Sequence, residues 1–436
     1  MKNLTFSAAI LAGSTFLSAV LGILRDRLLA SRFGVGPELD IYAAAFRIPD
    51  LVYTFLITGG LAVAFLPLFS EFFARDEKEG WETANHILNA LLVFLVLMSS
   101  SLFLLSPWLV KILLPGFSVE VQSSALKLIR LLLLSPIFFG LANIFSGVLQ
   151  YFNRFFVYGL APVIYNLSII GGILFLAPRF GIFGVGLGVV GGAFLYFLSQ
   201  FLGAIWCGFS WKPDFLSSFR QPVMGRVLGL MGPRTMTVAL QQLNLWVITA
   251  MASFLGSGTI AILYFSNNLQ GFFVGLVGVS FGTAAFPWLS RAALQKNEGE
   301  FLQYLKPALK QVIILAVLAT LFLTLFSEKI VGLLFGGGRF DQTAIEMTSR
   351  MVLLFSLSLF AQAAIPLLTR AFFALQEAKT PALISFVSFS ANILILLVSL
   401  KFELGIFSLA LAFSISSILQ FALLLVFLKK KLKQTF

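Results

Sequence analysis

The chain has 436 residues, of which 59% are hydrophobic and only 11% are charged, whereas a soluble domain carries about 25% charged residues. This composition excludes a water-soluble globular fold. The net charge of +12 fits basic loops held on the cytoplasmic side of a membrane better than a nucleic-acid-binding surface. The single cysteine, Cys207, excludes an internal disulfide and a cysteine-based metal site, and we expect no cofactor.

The chain divides into apolar stretches long enough to cross the hydrocarbon core, which needs roughly 20 helical residues. Stretches such as Leu88–Leu105 are apolar at both odd and even positions, which excludes the alternating strands of a β-barrel. Helices are the remaining way to satisfy the backbone in lipid. We therefore predict an all-α polytopic membrane protein with twelve spans, at residues 5–31, 38–72, 84–108, 121–150, 157–178, 182–207, 224–254, 259–292, 303–326, 344–375, 381–399 and 404–428.

The second predicted span contains Pro49, Gly59-Gly60 and Pro67. Proline removes a backbone donor and glycine loosens a helix, so this combination predicts a kink or break within the span. Broken helices that line a cavity are typical of transporters.

Six ionisable residues lie within or beside the first two spans, namely Arg25, Asp26, Arg27, Asp40, Arg47 and Asp50. An ionisable group at membrane depth costs about 2.5–3.5 kcal/mol on insertion scales, so it usually faces a cavity or a partner. Arginine suits a phosphate group because its planar guanidinium donates two parallel hydrogen bonds and stays charged. Converging arginines therefore favour a cavity for a phosphorylated head group over one for a cationic drug.

Two other interpretations of these charges remain open. Arg47 and Asp50 are three residues apart on a helix, where they could simply neutralise each other. The arginines from Arg25 to Arg32 could instead be anchors whose charged ends reach the head-group region.

Enzyme signatures are missing: the chain has no His-Glu-x-x-His and no phosphate loop, and Gly278–Gly282, which matches Gly-x-Ser-x-Gly, lies within the apolar predicted span 259–292 rather than at a strand-to-helix turn. We therefore expect a protein that is not an enzyme. The glycine-rich segment Gly336–Asp341 follows an apolar span and lacks a phosphate-loop lysine, so it predicts a turn on the outer face.

The two halves of the chain resemble each other at a nearly constant offset. Matching stretches occur at offsets of 222, 220, 226 and 224 residues: Ala30–Gly36 with Ala252–Gly258, Ala64–Ser70 with Ala284–Ser290, Leu149-Gln150 and Asn166 with Leu375-Gln376 and Asn392, and Gly181–Phe183 with Gly405–Phe407. These matches predict two six-span lobes, 1–210 and 221–430, joined by a polar linker from Ser210 to Gln221 and followed by a basic cytoplasmic tail at 431–436.

Basic residues are distributed unevenly between the predicted loops, with seventeen on the side of the N-terminus and nine on the other. Because basic loops are retained in the cytoplasm, both termini are predicted to be cytoplasmic in the bacterial inner membrane. Six spans per lobe give the two lobes the same orientation, as in parallel-repeat transporters, with a cavity expected between them.

Several of these stretches resemble the MurJ (MviN) family of lipid II flippases, and the resemblance covers nearly the whole chain. The stretches that carry it are Phe16–Asp26, Arg32–Gly34, Asp40, Ala45–Asp50 and Ala64–Pro67 in the first half, and Ala252–Leu255, Gly278-Val279, Phe286–Ser290 and Leu334–Asp341 in the second. The resemblance implies the fold of the multidrug/oligosaccharidyl-lipid/polysaccharide (MOP) exporters, which includes the MATE transporters. It also implies export of the undecaprenyl-diphosphate-linked peptidoglycan precursor.

Carried over from the family, the substrate-binding residues are Ser18, Arg25, Asp26, Asp40 and, as a basic position, Arg47, with Asn268 as the sixth candidate on the eighth helix. This sequence departs from the family at four positions: Ala19 and Tyr53 stand where arginine is frequent, Thr58 where glutamate is frequent, and Asn268 where an arginine of the eighth helix helps bind diphosphate. The cavity should therefore be less cationic, with more of the binding falling to Arg47. Family members commonly have fourteen helices, so we expect the lipid-tail groove of the last two to be absent or formed differently.

Taken together, the sequence predicts a lipid II flippase that works by alternating access, with lipid II and membrane lipids as partners and cell-wall synthesis proteins as further candidates. Two alternatives remain: an exporter of another polyprenyl-linked oligosaccharide or of a drug, and a non-transporting membrane scaffold for cell-wall enzymes. A drug antiporter would need intramembrane carboxylates without a neighbouring arginine, and the sequence offers no convincing one.

Overall fold

The computed structural model describes residues 2–54, 62–400, 402 and 404–435. The described residues form a succession of α-helices, with short π-helical segments at Gly172–Leu176 and Val274–Val279. The helices are α1 Lys2–Phe33, α2 Pro37–Ala45, α3 Arg47–Tyr53, α4 Ala62–Arg75, α5 Glu77–Leu113, α6 Val119–Leu132, α7 Ser135–Tyr151, α8 Phe155–Gly171, α9 Ala177–Phe180, α10 Ile182–Trp206, α11 Phe215–Ser218, α12 Pro222–Ser253, α13 Thr259–Phe273, α14 Ser280–Leu294, α15 Glu298–Phe335, α16 Gln342–Ser356, α17 Leu359–Ala374, α18 Lys379–Leu400 and α19 Phe407–Thr435.

Eight helical segments of the described chain are long and apolar enough to cross a membrane. A ninth is added if α16 and α17, bent by 48° at their junction, count as one span. These segments coincide with nine predicted spans and confirm a polytopic helical membrane protein. The first, second and seventh predicted spans are not among them, although α1 and α12 are continuous helices at the first and seventh. The number twelve therefore stays a prediction.

The second predicted span is broken, as its prolines predict. Helix α2 ends at Ala45 and α3 begins at Arg47, with Phe46 in a turn between them. Pro49 has no N–H to donate to the carbonyl four residues earlier, which is that of Ala45, so a continuous helix would lose a hydrogen bond there. The predicted loosening at Gly59-Gly60 lies outside the described residues.

The chain forms two compact units. The first comprises Met1–Leu29 and Pro37–Gln242, and the second comprises Ala30–Gly36 and Leu243–Phe436. Within the second unit, the Arg339 N–H donates to the Ser31 carbonyl at 2.8 Å. The contact needs a glycine at position 338, because a Cβ there would lie 2.3 Å from the Ser31 carbonyl oxygen.

The backbone conformation can be compared at glycines within the matched stretches of the predicted repeat. Gly34 and Gly256, matched at offset 222, both have positive φ angles of 66° and 104°. Gly181 and Gly405, matched at offset 224, have φ angles of 56° and 54°. These two pairs share a positive φ, which glycine adopts at no steric cost, whereas of the matched pair Gly36 and Gly258 only Gly258 has one.

A pair of polar contacts repeats in the same way. In the first unit the Asn166 amide donates to the Ser18 hydroxyl, and in the second the Asn392 amide donates to Asn244. Both pairs are 148 residues apart in sequence. The first and fifth helices of each repeat are thus joined by a hydrogen bond at the same place.

The segment from Ser210 to Gln221, predicted as the linker between lobes, lies within the first unit and is held there by helix α5. Asn85 donates to the Ser210 carbonyl and accepts from the Lys212 N–H, at 3.0 and 2.7 Å. Asn89 donates to the Lys212 carbonyl and accepts from the Trp211 indole, at 2.7 and 2.9 Å. Because both asparagines are buried, these bonds satisfy the linker backbone where it passes α5.

The glycine-rich segment Gly336–Asp341 forms the predicted turn. Gly337 and Phe340 exchange two backbone hydrogen bonds of 3.3 and 3.2 Å, with positive φ angles at Gly337 and Gly338. Asp341 then accepts from the Ala344 N–H and caps α16. A helix N-terminus capped by its own carboxylate does not form a phosphate loop.

Candidate functional site

A cavity of about 410 Å³ lies inside the first unit, within the size range of small-molecule sites. Its walls come from α1, α3, α7, α8 and α10 and combine aromatic rings with polar groups. The lining residues are Ser18, Arg25, Phe46, Pro49, Asp50, Tyr53, Ser135, Pro136, Phe139, Asn143, Pro162, Tyr165, Asn166 and Tyr196.

Arg25 is held in the cavity wall from two sides. Its Nε and Nη2 donate to the same Asp26 carboxylate oxygen at 2.9 and 2.8 Å, and its Nη1 donates to the Asn166 amide oxygen at 3.1 Å. The side chains of Arg25 and Asp26 are only 19% and 9% exposed. A guanidinium fixed by a carboxylate and an amide has a set direction, so little ordering is left to be done when a ligand binds.

Asn166 links Arg25 to Ser18, near the middle of α1. Its amide nitrogen donates to the Ser18 hydroxyl at 3.1 Å, to the Ser18 carbonyl at 3.2 Å and to the Pro162 carbonyl at 3.2 Å. Ser18, Asn166, Arg25 and Asp26 therefore form one continuous hydrogen-bonded network between α1 and α8, which we call the arginine network.

Another part of the wall is aromatic. Phe139 contacts Tyr53, Tyr165 and Tyr196 edge to face, with ring centroids 5.6, 5.1 and 5.5 Å apart. These geometries are the favoured ones for aromatic pairs. We call these four residues the tyrosine wall. The residues on this wall come from α3, α7, α8 and α10.

The structure brings together three of the six predicted substrate-binding residues: Ser18, Arg25 and Asp26. Asp40 lies on α2 and is fully buried. Arg47 begins α3, half-buried, and attracts the Asp50 carboxylate, but only Asp50 of this pair lines the cavity. Asn268 lies half-buried on α13 in the second unit. No group of three or more His, Cys, Asp or Glu able to hold a metal occurs in the described part of the chain.

Sequence reasoning about the site missed Asn166 and the tyrosine wall. Asn166 had one usable signal, since it is a polar residue in an apolar span that is matched by Asn392 in the other half. Tyr165 and Tyr196 gave no signal, because isolated tyrosines in apolar helices are common and their meeting depends on the packing of α7, α8 and α10.

Comparison with known proteins agrees with this architecture. The family model described as "Lipid II flippase MurJ" matches residues 29–436. The lipid II flippase MurJ of Burkholderia cenocepacia is 29% identical over 399 residues, covering 88% of this chain and 76% of that protein. The probable lipid II flippase MurJ of Thermotoga maritima is 28% identical over 439 residues, covering 100% and 86%.

Two solved structures have the same fold. The structure described as "Lipid II flippase MurJ, inward closed conformation" matches with a TM-score of 0.82 at 26% identity, over 97% of this chain and 87% of that one. An inward-facing MATE multidrug transporter of the MOP superfamily matches with a TM-score of 0.81 over 96% and 95%, but its 14% identity shows the fold alone. From the family match over residues 29–436, the chain belongs to the MurJ family of lipid II flippases.

Proposed function

We propose that this protein exports lipid II, the polyprenyl-diphosphate-linked peptidoglycan precursor, across the bacterial cytoplasmic membrane by alternating access. The observation that carries the proposal is the arginine network in the wall of the first-unit cavity. A polyprenyl diphosphate is an anion with a long apolar tail. Arg25, whose side chain is only 19% exposed, offers it a charge-assisted donor, and such bonds are about twice as strong as neutral ones.

In this mechanism Arg25 contacts the diphosphate while Asp26 and Asn166 keep the guanidinium directed at the cavity. The polyprenyl tail stays in the surrounding lipid, since burying it in protein would gain nothing over hydrocarbon. The protein supplies binding and release rather than chemistry on the substrate. Cell-wall synthesis proteins are further candidate partners.

The test is complementation. A bacterium depleted of its own lipid II flippase should resume growth when this gene is expressed, and should again expose lipid II on the outer face of its membrane. Normal membrane levels of the protein without restored export would contradict the proposal. Resistance to cationic drugs in place of restored export would favour the MATE-like alternative.

We also propose that both termini are cytoplasmic and that the glycine-rich turn faces outward, as the distribution of basic residues suggests. Single cysteines placed as Gly337→Cys and Glu79→Cys in a Cys207→Ser background test this orientation. In intact spheroplasts an impermeant thiol reagent should label the first and spare the second. Labelling of the cysteine at position 79 would overturn the orientation, while the unsubstituted Cys207→Ser protein controls for background.

A further inference from the structure

The cavity in the first unit is not uniformly suited to an anion. Arg25 is the one Lys or Arg among the described residues that line it, and Asp26 binds that guanidinium directly. Asp50 is the one carboxylate among the described residues that line the cavity, and it is attracted by Arg47. Apart from Arg25 and Asp50 the lining residues carry no charge, so only the immediate surroundings of Arg25 favour a phosphate group.

The remaining surface is the tyrosine wall, whose chemistry suits an uncharged ligand. Tyr53 is 38% exposed, so its ring is accessible from the cavity. The three tyrosines bring hydroxyl groups that both donate and accept hydrogen bonds, and Asn143 adds an amide to the same lining. Tyrosine combines a large rigid apolar face with such a polar group at little cost in conformational entropy.

From this combination we infer that the tyrosine wall binds the sugar part of the substrate, next to a diphosphate held at Arg25. The inference rests on the proposed function and adds a division of the cavity into a sugar subsite and a phosphate subsite. A pyranose ring presents C–H groups with slight positive charge on its faces, which pack on the negative face of an aromatic ring. Its hydroxyl groups, at the ring edge, bond with tyrosine hydroxyls and amides.

The position of Tyr53 supports the same division. It ends helix α3 and lines the same cavity as Arg25. Tyr53 reaches Tyr165 and Tyr196 through their shared neighbour Phe139. Specificity for the sugar should therefore lie in the tyrosine wall, and affinity for the lipid carrier in the arginine network.

The experiment compares two lipids that differ only in the head group. Purified full-length protein in lipid nanodiscs is titrated with lipid II and with sugar-free undecaprenyl diphosphate, and binding is measured by native mass spectrometry. Tyr53→Ala should weaken lipid II binding about tenfold, from the lost ring area and aromatic contact, and should leave undecaprenyl diphosphate binding unchanged. Tyr196→Ala should show the same selectivity, and Tyr53→Phe, which keeps the ring, should lose less than Tyr53→Ala.

Tyr304→Ala is the matched control, because Tyr304 is a half-buried tyrosine of the second unit that packs on Trp288, and it should leave the binding of both lipids unchanged. Equal loss of both lipids in Tyr53→Ala, or unchanged binding of both, would overturn the sugar subsite while the proposed function stands. Failure of the unsubstituted protein to bind either lipid would overturn the proposed function itself, and the sugar subsite with it.

Discussion

Replacing Arg25 with alanine is expected to abolish lipid II export, beyond any fall in protein level caused by leaving the buried Asp26 carboxylate without its counter-charge. The lost contact is a charge-assisted hydrogen bond to the diphosphate, worth on the order of 1.5–3 kcal/mol, or about ten- to a hundredfold in affinity. Arg25→Lys should recover little, because an ammonium is a point charge that cannot reproduce the bidentate geometry of a guanidinium. Export is measured on intact flippase-depleted cells, as the fraction of lipid II that an externally added, membrane-impermeant hydrolase can cleave.

Replacing another residue of the arginine network should reduce export by a smaller amount. Asn166→Ala removes the acceptor of the Arg25 Nη1 and the donor to Ser18, so it should reduce export less than Arg25→Ala does. Arg179→Ala is the matched control, since Arg179 is exposed at the end of α9 and does not line the cavity. Full export by Arg25→Ala at normal protein levels would leave Arg25 as an interfacial anchor only.

The arrangement of the spans could be predicted from the sequence because lipid imposes a simple physical constraint. Apolar runs of about 20 residues bounded by charges have few alternatives to a crossing helix. Predicted span 182–207 accordingly coincides with Ile182–Trp206, and 381–399 with Lys379–Ser399. The predicted ends fall short where helices continue into water, as at α5, which begins at Glu77 with Asp76 as its cap.

The site was less predictable, for a different physical reason. Charged residues at membrane depth are costly, so Arg25 and Asp26 were conspicuous in the sequence. Burying an asparagine or a tyrosine, such as Asn166 or Tyr196, costs less free energy than burying a charged residue, and both types occur in many helices without a functional role. Only the packing of α8 against α1 and of α10 against α7 brings them to the cavity, and these contacts leave no trace in local sequence patterns.

The cationic cavity was predicted from the number of arginines in the first two spans, but these arginines do not all line the first-unit cavity. Arg25 lines the first-unit cavity, whereas Arg47 begins α3 between Phe46 and Ile48 and does not. Charge counts along a sequence cannot distinguish these positions, because which side chains line a cavity depends on the face of the helix that each residue occupies.

The double replacement Arg47→Ala with Asp50→Ala is expected to give a folded protein that cannot export lipid II. Arg47 adjoins Phe46 and lies two residues before Pro49, both of which line the cavity, and it attracts the Asp50 carboxylate. If Arg47 also contacts the diphosphate, Arg47→Ala should weaken lipid II binding about ten- to a hundredfold, and removing Asp50 should not restore it.

The competing explanation is that Arg47 only balances Asp50. Arg47→Ala would then leave a carboxylate at membrane depth without its counter-charge, a loss worth about 3–5 kcal/mol for a fully buried pair and less for these half-buried side chains. The thermal midpoint of the purified protein would fall in the single variant and recover in the double one. Asp50→Ala alone serves as the reference for the cavity wall. A double variant that regains both stability and export would show that Arg47 serves the fold, and would leave Arg25 as the cation on which export depends.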